Sequence, residues 1–539
     1  MRKVMHHIYR NHKNRGEQTS TAIKRTTLYY AKRVIFNSFL LTALCLVLQV
    51  LLIVFMSIVL NKYSKLFLEA STLIGTIFIL LIVTGDNTQE SKLASALITA
   101  LFPLAGILIY MEYNYDYSAE QSKKAVNGMI AKTAKYLVTD PEIAEKMKNE
   151  HSDIVRLSRY MEQKGSCALY CHSHMEYFSL GDYVFEPLLK DLRAAREFIF
   201  LEFFLIEEGR FWDSVLEVLK EKAAEGVEVR LIYDDLGCVP LLPRNYYKTL
   251  EKAGIKVHIF SRLTPVFTMQ YNNRDHRKIV VIDGRVAYTG GFNLCDEYIN
   301  QFEKFGHWKD NGVRVTGNAV RQFTLMFLQM WNAARFNMGV ENEYFDRFMK
   351  QYPVESDGMI IPYGDGPHRK EPLAKYVYKD ILNAATNYVW ISSPYLILDD
   401  SMETAIKHAA QSGVDVRILL PHIPDKIIPY MIARSHYPAL LKAGVKIYEY
   451  EPGFVHAKTW ISDDRIATVG SVNLDYRSLF LHYEIGCLFY KCEGISDIKK
   501  DFVNTFETST IRVDMQYYRK LPVLYRAAGR ILRVFGPMM

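Results

Sequence analysis

Cysteine is sparse in this chain and badly placed for structural use. The seven, at positions 45, 167, 171, 238, 295, 487 and 492, form an odd and scattered set, one of them inside an apolar run. That argues against a disulfide framework. Cys167, Cys171, His172 and His174 cluster, but no second ligand pair at finger spacing follows. They read as ordinary strand or loop residues, and no metal site is expected. A clustered-aspartate metal motif is also missing. Acid is nearly absent from the first 33 residues, where nine Lys/Arg face only Glu17. Charge is absent altogether from residues 35–60.

What is there begins with that run. About 20 apolar residues span a bilayer, so residues 35–60 read as a retained transmembrane segment, too long for a signal-peptide core. Residues 66–84 are weaker because they hold Glu69. Residues 93–111 are plausible despite Pro103, which a membrane helix tolerates. Two or three spans follow, three being favoured; the alternative is that the second and third pair as buried hairpin helices. The basic tail 1–34 stays cytoplasmic by charge bias, so the count decides which side the rest faces. With 539 residues, 49% hydrophobic and net charge +7, the rest must fold as several units.

The chain after Tyr113 repeats itself. Segments reading as strand, helix and strand occur twice, with GVEVR (226–230) matching GVDVR (413–417) and AGIKV (253–257) matching AGVKI (443–447). Strands alternating with helices imply βαβ units and a mixed or parallel sheet. The expected fold class is therefore α/β, two duplicated halves forming a pseudo-two-fold pair behind N-terminal transmembrane helices. Expected boundaries are 1–34 basic tail, 35–111 membrane region, 112–175 connecting segment, 176–347 first half, 348–510 second half and 511–539 basic amphipathic tail.

The repeat carries chemistry. His276-Arg-Lys278 recurs as His456-Ala-Lys458, followed in each copy by an aspartate at +7 (Asp283, Asp463), a glycine at +14 and an asparagine at +17 (Asn293, Asn473). On an extended chain residues i and i+2 share a face, so each histidine projects with its lysine. If the halves meet about a two-fold axis, both pairs face one cleft. That set suits a phosphodiester: lysines and asparagines hold non-bridging oxygens, one imidazole attacks phosphorus, and the other handles protons. No metal or other cofactor is needed, because the lysines supply positive charge. Asp283 and Asp463 complete the motif, but their parity is wrong for the shared face. They are expected to act through turn and backbone hydrogen bonds.

These residues resemble the phospholipase D superfamily, whose duplicated H-x-K-x₄-D-x₆-G-[GS]-x-N motif fits both copies. The strings LEFFLIEEG, NNRDHRK, GGFNLCDEY, SSPYLILDD, AGVKIYEYEPGFVHAKT and GSVNLDYRS are similar to bacterial phospholipase D-type cardiolipin synthases over nearly the whole chain. The resemblance implies a multi-pass enzyme of the bacterial cell membrane that joins two phosphatidylglycerols into cardiolipin through a phosphatidyl-histidine. It implies His276 as nucleophile and His456 as acid/base. Asn293, Asn473 and Ser471 are expected to bind phosphate. Asp310 is expected to orient His276, and Glu484 to orient His456. Gly291 stands where the second copy has Ser471, a mild asymmetry between the halves.

Rivals are a membrane-anchored hydrolase, a transferase using another alcohol, and a nucleic-acid phosphodiesterase; the apolar spans and family strings disfavour nucleic acid. Arg526, Arg530 and Arg533 share one helix face at 523–535, opposite Leu524, Ala528, Ile531 and Phe535. Such a helix can lie on an anionic membrane, or pack on the rest of the chain.

Overall fold

A computed structural model describes residues 47–51, 54, 55 and 61–538, apart from 115, 116, 149, 151, 263–271, 334–342 and 357. The two halves each build a sheet, and the strands appear in the same spatial order. In the first sheet they run Ser173–Phe178, Gly312–Gly317, Val286–Gly290, Ile279–Ile282, Phe198–Phe203, Glu228–Asp234 and Lys256–Phe260. In the second they run Met359–Asp365, Glu484–Tyr490, Ile466–Gly470, Thr459–Ser462, Tyr388–Ser392, Asp415–Pro421 and Lys446–Tyr450, with Thr510–Val513 added at the edge. The three strands from the βαβ units are parallel and the motif hairpins pair antiparallel to them.

Alternation along the strands explains how the sheets meet. Ile279 and Val281 join one core with Ile461, Val469 and Ile485 of the other half, and the helix Val320–Ala333, buried but for Arg321, packs into that core. Val280 and Ile282 face away, into a core shared with the helices Gly181–Arg193 and Arg210–Ala224. Each sheet is thus covered by helices outside and by its partner inside, so its strands are apolar on both faces.

The expected boundaries at 175/176 and 510/511 both cut strands, Ser173–Phe178 and Thr510–Val513. The expected connecting segment is not a plain connector either. Ile154, Leu157 and Met161 enter the core of the second half beside Ile361 and Tyr363.

Both motif aspartates sit in turns. Asp283 and Gly284 have φ of 53° and 66°, and Asp463 and Asp464 have 52° and 57°, the left-handed pair that tight hairpins need. The Asp283 carboxylate accepts N–H bonds from Arg196, Glu197 and Phe198 at 2.7–2.8 Å. Asp463 does the same for Thr386, Asn387 and Tyr388 at 2.7–2.9 Å. Each locks the start of its central strand to the motif hairpin. Asp283→Ala is expected to cost about 3 kcal/mol in denaturant unfolding, because three N–H groups lose a charged acceptor. Unchanged stability with lost activity would instead put the carboxylate in the chemistry.

Near the N-terminus, helix α1 (Asn61–Thr84) contains the one stretch among the described residues long and apolar enough to cross a membrane, Lys65–Thr84. The first expected span lies mostly outside the described residues. The third, 93–111, is not one helix. It breaks at Phe102 into α2 (Gln89–Leu101) and α3 (Pro103–Asn114). Pro103 lacks the N–H that would continue the ladder and starts a new helix instead. The chain folds back so tightly that a Cβ on Gly106 would lie 2.5 Å from the Thr99 Cα. At 1.5 Å per residue each arm is about 20 Å long, short of the roughly 30 Å hydrocarbon core. A multi-pass arrangement is therefore not supported. The C-terminal helix, Val523–Val534, docks on Ile427–Lys442, with Arg533 bonded to Glu403 at 2.6 Å, yet keeps Val523, Leu524 and Ile531 exposed.

Candidate active site

The two histidine–lysine pairs are buried together between the sheets. His276, Lys278, His456 and Lys458 are all at most 8% exposed. His276 and Lys278 lie on an extended segment entering Ile279–Ile282, and His456 and Lys458 likewise enter Thr459–Ser462. Lys278 donates to the His276 carbonyl at 2.5 Å, and Lys458 to that of His456. Arg277, of opposite parity, turns away to a buried pair with Glu202.

The orienting carboxylates are exchanged between the halves. His276 Nδ1 lies 2.9 Å from both carboxylate oxygens of Glu484, and His456 Nδ1 lies 2.6 Å from Asp310. The expected pairing, Asp310 with His276 and Glu484 with His456, is thus reversed. The backbone is the cause. His276 N–H donates to the carbonyl of Tyr483 at 2.9 Å, and Asp275 bridges Tyr483. His456 N–H donates to the carbonyl of Lys309 at 2.8 Å, where Gly453–Val455 pairs with His307–Lys309. Each histidine is therefore stitched to the residue just before the other half's carboxylate.

The motif glycines make room for this. A Cβ on Gly290 would lie 2.4 Å from the Asn311 carbonyl, and one on Gly470 2.2 Å from that of Ile485. A Cβ on Gly291 would lie 2.1 Å from the Asp310 carboxylate. Asp310 fills the space that Ser471 occupies in the other copy. Ser471 instead donates its single O–H to Glu484 and accepts from the Ile485 N–H at 3.0 Å. It lies against the carboxylate, with the Ile485 carbonyl also in reach at 3.3 Å. Asn293 accepts from Leu205 N–H at 3.1 Å and donates to the Tyr298 hydroxyl at 2.7 Å, leaving one amide hydrogen. The buried Asn473 carbonyl oxygen has no partner among the described residues.

Electrostatics differ between the two sides. Burial, with Lys278, His482, Lys458 and His456, holds His276 well below the usual imidazole range. Burial and Lys458 hold His456 down at about 4, against the pull of Asp310. Burial lowers Lys278 to about 8 and Lys458 to about 7, although Glu484 and Asp310 oppose it. Burial pushes the Glu484 carboxyl well above its ordinary value, against Lys278 and Ser471. A carboxylate of raised proton affinity is a stronger acceptor for an imidazole Nδ1 proton.

Two residues were missed by motif reading. His482 lies with its ring 5.6 Å from that of His276, and Trp308 with its ring 5.5 Å from that of His456. Each stands two residues before its carboxylate, so aligning the copies on Asp310 and Glu484 would have found them. The ring nitrogens of both are buried without hydrogen-bond partners among the described residues, His482 Nδ1 lying 3.9 Å from Glu484. His276, His482 and Glu484 offer metal-type ligand atoms within 4.8 Å of one another. Glu484 is already engaged by His276 and Ser471, while His482 makes no hydrogen bond to either. Cys171 donates to Asp140, and burial raises its thiol to about 11, unsuited to a thiolate ligand.

A family model described as cardiolipin synthase, PLD-like domain, matches residues 188–331 and 378–506. An uncharacterized protein of Streptococcus mutans serotype c is 41% identical over 86% of this chain and 99% of its own length. A cardiolipin synthase of Alkalihalophilus pseudofirmus is 32% identical over 86% of this chain and 92% of its own length. Cardiolipin synthase 2 of Staphylococcus epidermidis is 30% identical over 89% of this chain and 99% of its own length. Among solved structures, the phosphatidylserine synthase of Haemophilus influenzae Rd KW20 superposes with TM-score 0.51 at 13% identity. It covers 72% of this chain and 100% of that one, a likeness of fold.

Proposed function

Since the chain belongs to the cardiolipin synthase family with phospholipase D-like domains, we propose that it transfers a phosphatidyl group between two phosphatidylglycerols, giving cardiolipin and glycerol. The observation that carries this is the single buried centre holding two histidine–lysine pairs, each histidine anchored by the other half's carboxylate.

His276 attacks phosphorus through Nε2 while its Nδ1 proton leans on Glu484. The bond from phosphorus to the glycerol oxygen breaks, and His456 supplies the proton that the glycerol takes away. A hydroxyl of the second phosphatidylglycerol then gives its proton to His456. Its oxygen attacks phosphorus, the phosphorus–nitrogen bond breaks, and both imidazoles are restored. The neutral state favoured at His276 suits a nucleophile, and the hydrogen bond to Asp310 suits a group that must become imidazolium. An anionic phosphodiester between Lys278 and Lys458 cancels part of the positive field and lets His456 take up its proton. Asn293 and Asn473 add donors to the phosphoryl oxygens.

One phosphodiester replaces another, so no energy donor is required. Water must be kept from the phosphatidyl-enzyme, which burial of the centre does. Membrane attachment through α1, with the exposed apolar residues of the C-terminal helix at the lipid surface, would supply acceptor lipid at high local concentration.

Purified protein given phosphatidylglycerol as sole lipid should release one glycerol per cardiolipin, without CTP or added divalent metal. Phosphatidic acid as the main product would mean a hydrolase. The pH dependence follows from the site. His276 stays neutral down to pH well below 6.5, so no acid limb is expected near neutrality. His456 must carry a proton and the lysines bind phosphate only when protonated, so kcat/KM should fall with rising pH above about 4 and more steeply through about 7 to about 8. A profile rising through that window would contradict charged lysines in binding.

A further inference from the structure

The broken helix pair α2 and α3 has both its open ends at the catalytic halves. The Asp400 N–H, at the head of the helix Asp400–Gln411, donates to the Glu90 carboxylate in the first turn of α2 at 2.7 Å. The C-terminal turn Gly536–Met538 packs on α2 as well. At the other end, α3 runs back to the close of α1, where a Cβ on Gly85 would lie 3.6 Å from the Tyr110 hydroxyl. The helix Tyr117–Thr133 follows, and its Val126 and Met129 enter the core between the sheets. Were residues 93–111 to cross a bilayer, Glu90 and the helix Tyr117–Thr133 would lie on opposite sides of it. Both instead touch the catalytic halves.

The reversal sits at half the depth of α1. A Cβ on Gly75, midway along Lys65–Thr84, would lie 2.8 Å from the Pro103 Cβ. From Gly85 back to Gly75 is about 15 Å at 1.5 Å per residue, half of the roughly 30 Å hydrocarbon core. The pair has the surface of a lipid-facing element. No charged residue lies between Leu93 and Met111, while Glu90, Lys92 and Glu112 stand at the open ends. Leu93, Leu97, Leu101 and Leu108 are exposed, and the polar Ser95 and Thr99 are buried. Hydrocarbon requires polar groups to be satisfied internally. Thr99 donates to the Ser95 carbonyl at 2.8 Å. The Ala105 N–H, orphaned in the first turn of α3, donates to the buried side chain of Gln49 at 2.7 Å, so the uncharged run 35–60 has a use for its glutamine.

We propose that α2 and α3 form a re-entrant hairpin, which enters one lipid leaflet from the catalytic side, turns at Phe102–Pro103 near the bilayer midplane and returns to the same side. Each arm fits a single leaflet with its charged end among the headgroups. Among the described helices only α1 then crosses completely, and the catalytic halves stand on the side where it ends. The bond from Asp400 to Glu90 holds the second half against the headgroups of that leaflet. The C-terminal helix Val523–Val534 packs beside α2, so its exposed Val523, Leu524 and Ile531 face the same lipid, with the exposed Arg530 placed for anionic headgroups. The inference does not depend on which alcohol the centre uses.

Cysteine labelling of the full-length protein in membranes tests it and needs no turnover. The six described native cysteines are buried, so the unsubstituted protein supplies the background. Lys65→Cys, Asp86→Cys and Gln121→Cys each replace an exposed side chain, near the start of α1, between α1 and α2, and beyond α3. Right-side-out and inverted vesicles from the same cells are treated with a membrane-impermeant maleimide. Asp86→Cys and Gln121→Cys should react in one preparation and Lys65→Cys only in the other. Gln121→Cys reacting with Lys65→Cys would mean that residues 93–111 cross, and overturns the hairpin. All three reacting from one face would deny that α1 crosses, and overturns it too. Depth is read separately from a nitroxide on Leu101→Cys in phosphatidylcholine vesicles. Collisions with oxygen should outnumber those with a water-soluble nickel chelate, as they do near a midplane. A label that meets the chelate as freely as one on Asp86→Cys puts the turn in water and overturns the re-entrant path.

Discussion

His276→Ala is expected to leave no trappable phosphatidyl-enzyme and to lower turnover by about four orders of magnitude. The imidazole does two things no neighbour can replace. It offers a neutral Nε2, which burial and four surrounding cationic or titratable groups keep unprotonated. It also passes its Nδ1 proton toward Glu484, 2.9 Å away. Quenching the reaction in neutral denaturant, where the phosphorus–nitrogen bond survives, and mapping the modified peptide reads the result. An adduct found on His456 in this variant would reverse the two roles.

Glu484→Gln is expected to slow formation of that adduct by about three orders of magnitude, although the residue lies 208 positions from the nucleophile. Gln cannot accept the Nδ1 proton as a carboxylate can, and Ser471 loses its charged acceptor. Asp310→Asn separates the roles. It touches His456, so it weakens protonation of the leaving glycerol. With phosphatidyl-p-nitrophenol, whose leaving group needs no acid, Asp310→Asn should keep its burst of p-nitrophenol and Glu484→Gln should lose it. The opposite pattern would restore the pairing within each half.

Much of this centre was legible in the residues. The repeated H-x-K spacing put each histidine beside its lysine, because extended geometry alone sets i against i+2. The parity argument assigned Asp283 and Asp463 to turns, and both cap backbone N–H groups there. Hydropathy was a poorer guide near the N-terminus. Residues 93–111 are apolar enough to span, but a window average does not register that Pro103 with Gly106 allows a tight reversal. The motif position of Ser471 says nothing of its contact with Glu484, which the fold supplies.

By itself the sequence determined the duplicated α/β halves, the histidine–lysine pairs and the two candidate carboxylates. The first two follow from short-range periodicity and from the likeness of one half to the other, and the carboxylates are what the family resemblance implies. Only the tertiary structure decided which carboxylate serves which histidine and that His482 and Trp308 flank them. Those outcomes depend on backbone hydrogen bonds between halves, from Asp275–His276 to Tyr483 and from Val455–His456 to Lys309. No local pattern encodes such a bond, because it forms only when two sheets, each folded on its own periodicity, close face to face.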